Sequence, residues 1–147
     1  MLGFFGICGI EGSNYMFEGD MKLGYTVETS KGFDDAAAKV EEMSVGKGFR
    51  VLHVHDVRAT LAEKGFQREP FKIIEICNSK FAHKALEINE DVGLFMPCKI
   101  NVYIKNGKTY ISAMRPSLIS DFFNQKQLRE VADEIDAIVR SIVDESK

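Results

Sequence analysis

The run from Cys98 to Lys105 alternates apolar and polar side chains, and Asn106-Gly107 follows it at once. A period of two sets Cys98, Ile100, Val102 and Ile104 on one face of a strand and Lys99, Asn101, Tyr103 and Lys105 on the other. Asn-Gly supplies two residues that tolerate positive φ, which a two-residue hairpin turn requires. Lys108 to Met114 should therefore return antiparallel beside the first strand. A sheet with one apolar face needs a second layer to cover it, and the rest of the chain offers helices for that purpose.

Lys22 to Thr29 alternates and is rich in Tyr, Val and Thr, the pattern of a first strand. Gly32-Phe33-Asp34-Asp35 opens a helix with acids in its first turn, where they suit the dipole. Its apolar face is Phe33, Ala36, Ala37, Val40 and Met43, and Gly46 and Gly48 end it. Phe49 to His55 reads as a second strand, with Phe49, Val51, His53 and His55 on one face and Leu52 and Val54 on the other. Apolar groups on both faces predict a central position for it. Asp56 is placed to cap a short helix, Val57 to Lys64, that Gly65 stops.

Phe71 to Cys77 is the third strand: Phe71, Ile73, Glu75 and Cys77 share one face, Ile74 and Ile76 the other. Asn78 caps the next helix, whose apolar face is Phe81, Ala82, Ala85 and Leu86, and Glu90 to Gly93 is a turn. Pro116 breaks the last strand. Asn124 then starts a long helix carrying a stripe of Leu128, Val131, Ile135, Ile138 and Ile142. The order β-α-β-α-β-α-β-β-α predicts a single two-layer α+β domain over residues 21–147. Its sheet is expected to be mixed, because helical connections between early strands allow parallel pairs.

Residues 1–20 read as an N-terminal arm or an upstream extension, since Met16 or Met21 could each serve as a start. Leu2, Phe4, Phe5, Ile7 and Ile10 would expose a sizeable apolar patch, so an ordered arm should pack on this domain or on a partner subunit.

A chain of 147 residues with 45% apolar residues can bury a core without a metal or disulfide. Its net charge of −3 and pI near 5.6 argue against a nucleic-acid partner, which calls for a basic stripe. Cys8, Cys77 and Cys98 are odd in number and include no C-x-x-C, so a disulfide framework is not expected and a reducing compartment is the default. No apolar run approaches the ~20 residues of a membrane span. The first basic residue is Lys22, so the charged start of a signal peptide is missing. These features predict a cytoplasmic protein without a membrane partner.

The chain has no G-x-S-x-G, Walker loop, H-E-x-x-H or strand-borne G-x-G-x-x-G, so it names no reaction and no cofactor. Three short stretches remain: His53-Val54-His55-Asp56, Glu75-Ile76-Cys77-Asn78 and Pro97-Cys98. Cys77 precedes a helix N-terminus, whose partial positive charge would favour a thiolate. It equally suits a small buried apolar side chain, as does Cys98 on the core face of its strand. His53 and His55, two apart on a strand, could present imidazoles to one metal, with Cys77 and Cys98 as further donors. Nothing in the sequence brings these four together, and two partly buried histidines are the plainer reading. Arg115, at the end of the last strand, could clamp a carboxylate or phosphate, or simply form an ion pair.

Taken together, Phe49-Arg50-Val51-Leu52-His53-Val54-His55-Asp56, Ala59-Thr60-Leu61-x-x-Lys64-Gly65, Ile76-Cys77-Asn78, Pro97-Cys98 and Arg115-Pro116 resemble the domain of unknown function 302 family of bacteria and archaea. The resemblance covers about residues 21–146 and is closest to the branch with a His-Asp pair after the second strand, here His55-Asp56. Ser79 stands where the family usually has Pro, and Met96 where it usually has Leu. The resemblance implies a compact α+β domain that tends to form homodimers, with no established activity. Two functions remain in view. One is a homodimer that binds a small ligand near Cys77, Asn78 and Arg115, with His55, Asp56 and Cys98 as further candidates. The other is a thiol-active protein handling sulfur, redox equivalents or metal through Cys77 and Cys98 with His55.

Overall fold

A computed structural model describes residues 23–147. The expected arm at residues 1–20 therefore lies outside the described residues. The elements are β1 (Gly24–Thr29), α1 (Phe33–Gly46), β2 (Arg50–Asp56), α2 (Val57–Ala62), β3 (Phe71–Cys77), α3 (Ser79–Ile88), β4 (Cys98–Lys105), β5 (Lys108–Met114), α4 (Ile119–Phe123) and α5 (Lys126–Ser146). Two 3-10 segments, Glu90–Phe95 and Pro116–Leu118, join them. The α+β class and the element order agree with the sequence reading. Among the described residues no helix is long and apolar enough to cross a membrane.

The sheet is not mixed. Its five strands run β1-β5-β4-β3-β2, and every neighbouring pair is antiparallel. The helical connection through α1 does leave β1 and β2 pointing the same way, as such a crossover should. Three other strands lie between them, so the parallel direction never becomes a parallel pair. The connections through α2 and α3 are excursions that return to the strand end they left, which makes β2-β3-β4-β5 a meander. The β4–β5 turn has Asn106 at φ 52° and Gly107 at φ 75°, the conformation a two-residue hairpin demands.

Strand β2 lies at an edge, not at the centre. Its register shifts between Val51, opposite Ile76, and His53, opposite Glu75, so Leu52 is an extra residue in a bulge. The bulge explains the misleading sequence pattern. Phe49, Val51 and Val54 all pack with the core, while His53 and His55 stand opposite Glu75 and Ile73 on the other face. Leu52 is exposed.

One face of the sheet is buried. Ile74, Ile76, Ile100, Val102, Ile111 and Ala113 are fully covered, packed beneath Ala36, Ala37 and Val40 of α1 and Ile135, Val139, Ile142 and Val143 of α5. The opposite face is lined by a stacked row of rings, Phe71–Tyr103 at 5.3 Å and Tyr103–Tyr110 at 5.5 Å, and among the described residues no long helix packs on it. Helix α5 begins at Lys126, two residues later than its apolar pattern suggested, because Asn124 adopts a left-handed conformation (φ 48°) that closes α4.

Truncating Ile142, fully buried beneath the sheet, to alanine should lower the unfolding free energy by ~2–5 kcal/mol in a denaturant titration. A change near zero would mean that α5 is peripheral to the core.

Candidate functional site

Small side chains meet at one end of the buried layer. Strand β3 ends in Cys77 and β4 begins with Cys98, which stands opposite Ile76 in the ladder. Above them α3 presents Ala82 and Ala85, and α5 presents Ala132. Around this group stand large apolar residues, among them Phe49, Phe81, Phe95 and Met96. Packed elements whose facing positions are Ala and Cys cannot fill the space between them, and a cavity of about 70 Å³ results. That is several times the ~10–15 Å³ that a single water needs.

Asn78 is the cavity's polar wall residue, and its oxygen and one of its two amide hydrogens are already engaged. Its Oδ1 accepts from the backbone N–H groups of Lys80 (3.1 Å) and Phe81 (3.3 Å), capping α3 as the sequence predicted. Its Nδ2 donates to the Gly48 carbonyl at 3.1 Å, tying the start of α3 to the end of α1. Among the described residues no charged side chain lines the cavity. A cis bond joins Met96 to Pro97, which leads into Cys98.

Both cysteines are free thiols on the wall of the same cavity. Burial in this apolar setting pushes the Cys98 thiol up to about 11; a charge on Cys77 would push it the same way, and nearby Lys99 offsets only part of this. Cys98 is thus a neutral thiol near pH 7, and the cavity wall is apolar in charge as well as in composition.

The other candidates lie elsewhere. His55 is on the opposite face of the sheet, with Nε2 3.1 Å from Glu75 Oε1, in a groove shared with Thr60, Leu61, Ile73 and Lys99. His53 packs edge-on against it, ring centroids 4.3 Å apart. Asp56 caps α2 by accepting from the Ala59 N–H at 2.9 Å. The histidines and the cysteines are therefore two separate groups. Among the described residues no three His, Cys, Asp or Glu side chains converge as metal ligands would.

Arg115 is committed to the fold. Its Nε and Nη2 donate to the buried carboxylate of Asp136 at 3.4 and 3.3 Å, and Ser117 adds its hydroxyl at 2.8 Å and its N–H at 3.3 Å. This cluster fastens the segment after β5 to α5 and so fixes Pro116 and Ile119, which line the cavity. Arg115 itself does not line it.

Sequence reasoning missed Asp136, whose only signal was an acid among the apolar positions of α5. It also missed the cavity, although Ala82, Ala85 and Ala132 were visible as small residues on faces destined for burial.

A family model described as Domain of unknown function DUF302 matches residues 25–146. A crystal structure of an uncharacterized conserved DUF302 protein from Bacillus stearothermophilus is similar over 85% of this chain and 98% of that one, with 34% identity and a TM-score of 0.81. No curated protein matches the chain.

The elevated thiol has a kinetic consequence. In a chain carrying Cys8→Ser and Cys77→Ser, iodoacetamide should modify Cys98 at pH 8 on the order of a hundredfold more slowly than an ordinary exposed thiol. Because burial favours the neutral form, the rate should keep climbing past pH 9. A plateau already reached at pH 9 would contradict the half-buried, neutral Cys98.

Proposed function

The chain belongs to the family described as Domain of unknown function DUF302, and within it we propose that this protein is a homodimeric binding protein for a small apolar ligand. The cavity carries the reading: its described wall offers apolar contact surface, no charged side chain, and in Asn78 an amide whose oxygen and one N–H are already engaged. Such a site selects by shape and by removal of apolar surface from water. Cys77 and Asn78 belong to the ligand's surroundings, and Arg115 contributes from behind by holding Pro116 in place. The two unbridged thiols suit a reducing, cytoplasmic setting.

Homodimer formation is supported by the open face of the sheet, where Phe71, Ile73, Tyr103 and Tyr110 are only half-buried within one chain. A second copy laid on that face would complete a sheet-on-sheet core.

The presence of Cys77 and Cys98 on one wall also favours a second reading, a thiol-active protein handling sulfur, redox equivalents or metal. His55 would take no part in it. The neutral state of Cys98 weighs against this reading and leaves Cys77 to carry the reactivity.

Titration with 1-butanol, followed in amide NMR spectra, should move the signals of Cys77, Ala82 and Ala132 and leave those of the distant hairpin at Asn106 in place. Ala132→Leu, which fills the cavity, should abolish the shifts. Shifts scattered over the whole surface, unchanged by the filled cavity, would remove the ligand-binding reading.

Sedimentation equilibrium at tens of micromolar should give twice the 16.5 kDa chain mass, and Tyr103→Lys should shift the species towards monomer. A single species of one-chain mass for the unaltered protein would rule out the dimer.

A further inference from the structure

The cavity is too small to enclose much of a ligand. An engineered apolar cavity of about 150 Å³ accommodates benzene, and this one measures about 70 Å³. Any ligand of more than a few carbon atoms must therefore continue out through the mouth.

Beside the Phe95 wall of the cavity the surface is apolar. Phe95, on the cavity wall, packs at a tilt against Phe122, ring centroids 5.6 Å apart, and edge-on against Phe123 at 6.1 Å. Phe122 is 75% exposed, Leu94 next to Phe95 is 84% exposed, and Leu86 is 37% exposed. Leu86 belongs to the same rim, since its Cδ2 lies close to Gly93. The rim is thus built from three elements, α3, the Glu90–Phe95 segment and α4, and it runs into the cavity without an intervening charged wall residue. Exposed large apolar side chains gathered in one place mark a binding surface more often than isolated ones do.

We propose that the ligand is a single aliphatic chain: its end fills the cavity beside Cys77 and Cys98, its next carbons lie across Phe95, Phe122 and Leu94, and its polar end stays in water. This inference rests on the ligand-binding reading above and specifies its ligand. A compact ligand would leave the rim exposed, whereas a chain buries it. A charged or multiply hydrogen-bonding group is poorly received inside, because among the described residues no charged side chain lines the cavity and Asn78, with Oδ1 and one Nδ2 hydrogen engaged, has only its second N–H left to offer.

The test is an affinity series from 1-butanol to 1-decanol by amide NMR on the full chain, with sodium decanoate as a second probe. Affinity should rise up to about fourfold per added methylene. Decanoate should bind within about threefold of decanol, because the charge stays in solvent. Phe122→Ser and Leu94→Ser, both at exposed positions, should leave butanol affinity unchanged and flatten the gain from hexanol to decanol. If butanol binds but affinity does not grow with chain length, the aliphatic-chain proposal fails while the cavity reading stands. If butanol does not bind in the cavity, both fail. Decanol binding without decanoate binding would place the polar end inside and overturn the proposal. So would Phe122→Ser dissociating a dimer with no effect on the long alcohols, since the rim would then be a subunit contact.

Discussion

The structure depends on a five-stranded antiparallel sheet being buried on one face only. Ile74, Ile76, Ile100, Val102 and Ile111 form a continuous apolar layer, and α1 and α5 exist as amphipathic helices to cover it. Removing that much apolar surface from water is the main favourable contribution to folding. It also fixes register, since a one-residue slip in any strand would turn isoleucines outward. The bulge at Leu52 belongs to the same logic. It lets Val51 and Val54 both reach the core from an edge strand, and it breaks the regular edge to which another strand could pair.

Where the layer ends, the same packing rule produces the cavity. Helices crossing a sheet are held at distances set by their larger side chains, here by Phe49, Phe81 and Ile135 among others. Alanines and cysteines facing one another within that frame cannot close the gap. Polar interactions then hold the frame. Asn78 satisfies the start of α3 and braces it against Gly48. The Arg115–Asp136–Ser117 cluster pins the chain after β5 to α5. An acid as buried as Asp136 is tolerable only because it accepts several hydrogen bonds, two of them a bidentate pair from the Arg115 guanidinium. These polar groups position the wall, whose described surface is mainly hydrocarbon and the two sulfurs.

The electrostatics separate the two faces of the sheet. On the cavity side, burial keeps the Cys98 thiol protonated. On the open side, His55 pairs with Glu75, and Lys99 stands opposite Glu75 in the ladder while its Nζ donates to the Pro97 carbonyl. Cys77 and Cys98 line the cavity, whereas His55 pairs with Glu75 at 3.1 Å in a separate groove whose lining includes neither cysteine.

The sequence by itself determined the local structure wherever one chemical signal dominated. The hairpin at Asn106-Gly107, the limits of β3, β4 and β5, the caps at Asp56 and Asn78 and the buried stripe of α5 were all legible, because each depends on residues within a few positions of one another. Tertiary structure decided everything that depends on who the neighbour is. The alternation of Phe49 to His55 could not reveal the bulge, since a bulge is defined by the partner strand. Nor could the helix between β1 and β2 reveal that three strands would be laid between them. Arg115 could be read as a clamp until Asp136, 21 residues away, took its guanidinium. The cavity is the plainest case: Ala82, Ala85, Ala132, Cys77 and Cys98 are unremarkable one by one, and only their convergence leaves space. Helix and strand signals are carried by short-range sterics and periodicity, whereas cavities, ion pairs and strand order follow from long-range packing, which no local pattern encodes.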